Sequence, residues 1–269
     1  MSIRFYKYRS SEAVDRDLKI ISDCEIYYSD PTQFNDPFDC APTTVAFTIE
    51  QKRLLAKSLL ASENPGIPQE WRDTLEQALS DDELLNQMAD RVTTPEYLKD
   101  RMSKYGVLSL SKERDNLLLW AHYASSHSGF AIEFDIANSV KAHVSGLESY
   151  PLGYFEINLM AKPIEYSNVR PPSISAERHL AEPFFHKSKV WSYENEFRVL
   201  SSFGAGVKKF NCDLLSGVYL GCKITSENKR KIFDVVGEFN SSNNSSVKIY
   251  QARIDDQSFD LHFDELKNH

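Results

Sequence analysis

Strand-like segments lie toward both ends of this chain, and a long stretch of helical periodicity separates them. Residues 3–8 (IRFYKY) and 23–30 (DCEIYYSD) read as short aromatic strands, the first an edge or early strand. Between residues 49 and 104 leucines recur at helical spacing: Leu54, Leu55, Leu59 and Leu60, then Leu75, Leu79, Leu84 and Leu85. Alternation returns at 107–111 (VLSLS), 129–135 (GFAIEFD), 191–202 (WSYENEFRVLSS), 216–222 and 247–255. Strands must pair to satisfy their backbones, so the sheet draws on distant parts of the chain. The expectation is a single α+β domain over 1–269, with an insertion of about three helices at about 49–104.

Local signals refine this. Asn64-Pro65-Gly66-Ile67-Pro68 breaks the insertion, and Thr93-Thr94-Pro95-Glu96 starts its last helix. DNLLLWAHYASSH (115–127) reads as a helix capped by Asp115. Residues 226–239 form an amphipathic helix capped by Ser226, followed by a polar loop at 240–246. Residues 136–180 predict a short helix, a strand around PIEYS and a loop at 169–175. Gly204-Ala-Gly206 reads as a hairpin turn.

Composition excludes some classes. With 41% hydrophobic and 12% aromatic residues, 269 residues suffice for a packed core. A formal charge of −8 disfavours a broad cationic nucleic-acid surface, though not a small basic cleft. The N-terminal residues are too charged for a secretory leader, and no run of 18 apolar residues exists. These features predict a cytoplasmic protein that does not enter the membrane. Cys24, Cys40, Cys212 and Cys222 form no CxxC pair and are expected to be reduced, structural thiols.

Three strings combine residues suited to chemistry. In a continuous strand over 191–202, Glu194 and Glu196 share one face, where two carboxylates repel and one pKa rises. Ser109 and Ser111 share a face at a strand end before a helix. Tyr6 and Tyr8 share one face of the first strand and Lys7 and Arg9 the other, a cationic pair suited to phosphate. Taken alone, each string is more plainly explained by structure: a solvated strand face with salt bridges, a simple strand end, or an exposed edge strand.

In the turn FNDPFD, Asp36 and Asp39 either line a cleft or, with Glu194 and Glu196, bind a metal. The plainer alternative has Asn35 and Asp36 fixing the turn while Phe34 and Phe38 anchor it to the core. His122 and His127 lie five apart, about 140° around a helix and unlike a zinc pair. Trp120 and Tyr123 share a face and are expected in the core.

The order of Tyr8-Arg9, Ser109-Leu-Ser111 and Glu194-Asn-Glu196 resembles the ADP-ribosyltransferase superfamily. In one branch an Arg closes the first strand, a Ser-x-Ser precedes a helix and a Glu-x-Glu opens a later strand. The resemblance implies a split β-sheet core and NAD as substrate. It further implies Glu196 stabilising the developing cation, Glu194 orienting or deprotonating the acceptor, and Ser109 positioning the ribose or Glu196. Arg9 would hold a phosphate, and Tyr123 or Tyr193 would stack on nicotinamide. Tyr8, Ser111 and His122 complete the implied NAD-binding set. His186-Lys-Ser-Lys189 stands where an aromatic acceptor loop would be expected, leaving the macromolecular acceptor, protein or nucleic acid, open.

The chain also resembles a widespread bacterial family of unassigned function. It carries that family's YKYRS (6–10), FNDPFDC (34–40), WxHYAxxHxG (120–129) and WxYExEFR (191–198) strings. Two further readings remain. One is a metal-dependent phosphodiesterase or nuclease using Asp36, Asp39, Glu194 and Glu196, with Lys187 or Lys189 on the phosphate. The other is a non-enzymatic sensor or interaction module, of the kind used in phage defence, with its partner surface on the helical insertion.

Overall fold

The computed structural model describes residues 3–41, 48–61, 68–92, 94–136, 158–170 and 182–267. The chain falls into two compact units. One comprises Met1–Ser29, Gly106–Ile164 and Val190–His269; the other comprises Asp30–Tyr105 and Glu165–Lys189. The expected short helix in 136–180 and the 64–68 break fall largely outside the described residues.

The first unit is built on a mixed, mostly antiparallel sheet of eight strands, giving an α+β architecture. In chain order these are β1 (Arg4–Arg9), β3 (Gly106–Ser111), β4 (Phe130–Asp135), β5 (Lys162–Pro163), β8 (Glu196–Ser201), β10 (Leu215–Leu220), β11 (Lys248–Ile254) and β12 (Leu261–Leu266). Their spatial order is β12-β11-β10-β4-β1-β3-β8-β5, with β10 and β11 parallel. The first strand is therefore central, not an edge.

Period-two alternation sorts side chains to two faces. Phe5, Leu108, Leu110, Ile132, Phe134, Val199 and Val218 pack with Ile20 and Ile21 of the short helix α2 (Lys19–Ser22), which follows α1 (Val14–Asp17). They also pack with Ile232, Val236 and Phe239 of the last helix, Ser226–Asn243. Burying each such side chain is worth about 1.5–3 kcal/mol, so this layer dominates the unit's stability. The opposite face carries Tyr6, Tyr8, Ala131 and Tyr219, covered by Leu119 and Trp120. Those two residues come from α7 (Leu117–Tyr123).

Hydrogen-bonding partners move several boundaries. The cap of α7 is Asn116, not Asp115, because its carboxamide oxygen reaches the amides of Leu118 and Leu119. Thr225 rather than Ser226 caps the last helix, which runs on through most of the expected polar loop. The turn at Gly204–Gly206 makes no hairpin, since β8 pairs with β3 and β5 while β9 (Gly206–Lys209) pairs with β2 (Glu25–Tyr28). Beside that two-stranded ribbon Cys24 and Cys212 form a disulfide, correcting the expectation of four reduced thiols. Cys40 and Cys222 are free.

In the second unit the leucine-rich stretch forms four helices rather than three: α3 (Ile49–Ala61), α4 (Gln69–Ala78), α5 (Asp82–Val92) and α6 (Pro95–Ser103). Ala56, Leu75, Ala78, Leu85 and Met88 form their core, whereas Leu54 is exposed. A short parallel pair, β6 (Glu165–Ser167) and β7 (His186–Ser188), belongs to the same unit. In the FNDPFD turn, the Asp36 carboxylate accepts from the Phe38 amide at 2.9 Å, as a turn-fixing residue should. Phe38 does not anchor that turn in a core, being 62% exposed. Among the described residues no helix is long and apolar enough to cross a membrane.

Candidate active site on the central strands

The central strands align three of the sequence motifs. In the β3–β8 ladder Ser111 lies opposite Glu196 and Ser109 opposite Arg198; across the other edge of β3, Tyr6 lies opposite Ser111. Cross-strand partners share a face, so Tyr6, Ser111 and Glu196 form one row across β1, β3 and β8.

The two glutamates reach this row by a different route from the one alternation suggests. Residues 189–194 form a 3-10 turn, and β8 begins only at Glu196. Asn195 between them adopts a left-handed φ of 41°, which asparagine tolerates better than most residues. The shared-strand-face premise therefore fails, yet both acids end up buried. Ser111 ties the turn down. Its hydroxyl donates to the Glu194 carbonyl at 2.5 Å and accepts from the Glu113 amide at 2.9 Å. Asn195 donates to the Glu113 carboxylate at 2.7 Å.

Each acid has a dedicated donor. Arg198, two residues along β8 on the same face, grips Glu196 at both oxygens: Nε to Oε1 at 2.7 Å and Nη2 to Oε2 at 3.1 Å. Arg198 is almost wholly buried, so this is a desolvated two-point ion pair. The Tyr123 hydroxyl donates to Glu194 Oε1 at 2.6 Å. Burial first, and this hydrogen bond second, raise the Tyr123 pKa, so the phenol keeps its proton. Tyr123 is thus a partly exposed donor rather than a core residue, while Trp120 is fully buried.

The other sequence candidates are arranged around this row. Tyr8 stacks edge-on against Trp120 and donates to the Glu113 carbonyl at 2.6 Å. His122 is exposed on α7, its ring 6.5 Å from that of Tyr193. His127 is not on the helix, which ends at Tyr123; it sits in a tight turn at φ 72° with a buried, unpartnered Nδ1. That turn presses close on β1: a Cβ added at Gly129 would lie 2.1 Å from the Arg9 carbonyl oxygen.

Arg9 closes β1 as expected, but alternation directs it to the Phe5 side, away from Glu196. There it feels Asp17, and its Nε is buried without a hydrogen-bond partner among the described residues. Burial lowers its pKa and Asp17 opposes that change. The structure therefore brings Ser111, Glu194, Glu196 and Tyr123 together, while Arg9 stands apart.

Sequence reasoning missed the part played by three residues, although it pairs Lys7 with Arg9 as cations suited to phosphate. Arg198 was legible as the residue two beyond Glu196 on one strand. Lys7 occupies the place where β1 and β3 separate: β1 pairs with β4 along six residues, but with β3 only at Tyr6–Ser111. Past that point the Lys7 ammonium donates to the Ser109 carbonyl at 2.8 Å. Burial, then Arg9, lower its pKa to about 7, with Glu196 acting in opposition. Glu133, a lone acid within FAIEFD, is the third. It accepts from Tyr6 at 2.8 Å, Tyr219 at 2.9 Å and Ser216 at 2.7 Å, with Arg4 at 3.7 Å.

The metal-centre expectation finds no support in this geometry. Among the described residues no three His, Cys, Asp or Glu side chains gather as a metal site. Asp36 is used in its turn, Asp39 faces Lys187 at 3.5 Å, and Glu196 is held by Arg198.

Fold and site together define an α+β protein with a buried acid–arginine–hydroxyl cluster on the central strands of a mostly antiparallel mixed sheet. A domain described as a protein of unknown function (DUF2971) is found at residues 119–199. Its span runs from α7 into β8 and includes Tyr123, Glu194, Glu196 and Arg198. No curated protein and no solved structure matches the chain.

Proposed function

We propose that the Ser111–Glu194–Glu196 site cleaves the nicotinamide–ribose bond of NAD, passing ADP-ribose to a macromolecular acceptor or to water. The observation that carries this reading is the row Tyr6, Ser111, Glu196 on adjacent strands, with Glu194 tied to the same serine. As the C–N bond breaks, its electron pair leaves with nicotinamide and positive charge develops on the ribose. Glu196, held at both oxygens by Arg198, is the group to stabilise that charge. The acceptor then bonds to the anomeric carbon and loses its proton to Glu194, which Tyr123 orients. Ser109 and Ser111 support the ribose side, and Tyr8 and His122 belong to the surrounding binding wall; Arg9, on the opposite face of the sheet, takes no part.

One observation favours a second reading, a non-enzymatic sensor or interaction module. Both acids are buried and each already has a donor, as a purely structural cluster would require. Nicotinamide release and NAD calorimetry on wild type and Glu196→Gln separate the two. The enzymatic reading expects NAD binding by both proteins and a loss of turnover of roughly a hundredfold or more in the variant. Absence of NAD binding, or equal turnover, leaves the structural reading standing, with Glu196→Gln then lowering only the melting temperature.

A further inference from the structure

We propose that the second unit carries its own binding cavity for a small phosphate-bearing molecule of mononucleotide size, held by Arg170 and Lys187. The cavity measures about 250 Å³, and its described lining includes Phe38, Ser167, Arg170, His186, Lys187 and Ser188. Two basic side chains and an imidazole line it, and no carboxylate is among the described lining residues. Two acids outside the described lining pair with this basic set. Asp39 faces Lys187 at 3.5 Å, and Glu165 faces His186 at 3.2 Å.

The Lys187 and Asp39 side chains are both more than nine-tenths buried. A desolvated lysine is costly to keep charged without a partner, and Asp39 supplies one. Lys187 is thereby fixed as a point charge in the wall, whereas exposed Arg170 offers the planar fork that suits phosphate oxygens. Two hydroxyls, from Ser167 and Ser188, add neutral donors.

An aromatic platform lies alongside. The Arg170 guanidinium lies over the Phe38 ring, 5.6 Å from its centroid, and donates to the Ala41 carbonyl at 2.6 Å. Phe38 is largely solvent-exposed, so its ring presents a flat surface on which a base can lie. Size sets the limit. Pockets for drug-sized ligands run from about 300 to 1,000 Å³, so this one suits a nucleoside monophosphate rather than a dinucleotide. The inference does not rest on the NAD reading.

Calorimetry on the full chain with AMP tests it, with adenosine and inorganic phosphate as companion probes. AMP should bind saturably, adenosine should bind far more weakly, and inorganic phosphate should compete. Arg170→Glu and Val169→Glu each place a carboxylate at exposed lining positions, so folding should be spared, as melting temperature will verify. Each should weaken AMP binding by about tenfold or more. No saturable AMP binding up to about 5 mM would overturn the proposal. So would equal affinity for adenosine, or AMP binding unchanged in both variants, which would locate it elsewhere.

Discussion

Lys7 shows how a single side chain can decide a local geometry. Where the β1–β3 ladder stops, its ammonium donates to the Ser109 carbonyl at 2.8 Å. Burial lowers its pKa from 10.5 to about 7. Within that window the unfolded chain binds more protons than the folded one, so folding stability rises with pH, by at most about 1.4 kcal/mol per unit. Urea midpoints of wild type and Lys7→Met should therefore diverge in favour of wild type between about pH 6.5 and about pH 9.5. A constant difference across that range would show that Lys7 is charged in the folded protein throughout. Arg198 follows similar logic: its position was readable from strand spacing, but its burial, and so the strength of its hold on Glu196, was not.

Secondary-structure elements were legible where periodicity was strong and backbone geometry ordinary. The strands at 106–111, 130–135, 215–220 and 248–254 lie within a residue or two of their expected limits. The stretch 191–202 was misread because WSYENEFRVL alternates acceptably, although its first part coils as a 3-10 turn and Asn195 reverses its φ. Sequence pattern registers side-chain polarity, and only the backbone records a left-handed residue.

The ribbon of β2 and β9 raises the same issue for cysteines. Cys24 and Cys212 are 188 residues apart, a separation from which no pairing can be read, yet their Cα atoms come within 5.5 Å. Disulfides typically contribute about 2–4 kcal/mol, more for longer loops. Cys212→Ser should accordingly lower the melting temperature by about 5–10 °C under non-reducing conditions, and by almost nothing when both proteins are reduced. Equal melting temperatures before reduction would show that the bond does not form.

In the first unit the most consequential placement is that of β1, from the start of the chain, between β4 and β3. It ladders with β4 along its whole length and is the link between β12-β11-β10-β4 and β3-β8-β5. Deleting residues 3–10 should therefore abolish cooperative unfolding and the near-ultraviolet dichroism of Trp120 and Tyr219, rather than trim an edge. Retention of a sharp thermal transition with that signal would mean that the sheet closes without β1. An edge strand such as β12 carries no comparable burden, because it pairs on one side only.

From sequence alone follow the α+β class, the helical character of 49–104, the strands and the candidacy of Ser111, Glu194 and Glu196. All depend on local periodicity and residue type, which act over a few neighbouring positions. Tertiary structure alone decided that β1 is central, that Arg9 turns away from Glu196, that Arg198 and Tyr123 hold the two acids, and that Cys24 meets Cys212. These are relations between residues far apart in the chain, and they exist only once packing and hydrogen-bond register have chosen which distant segments become neighbours.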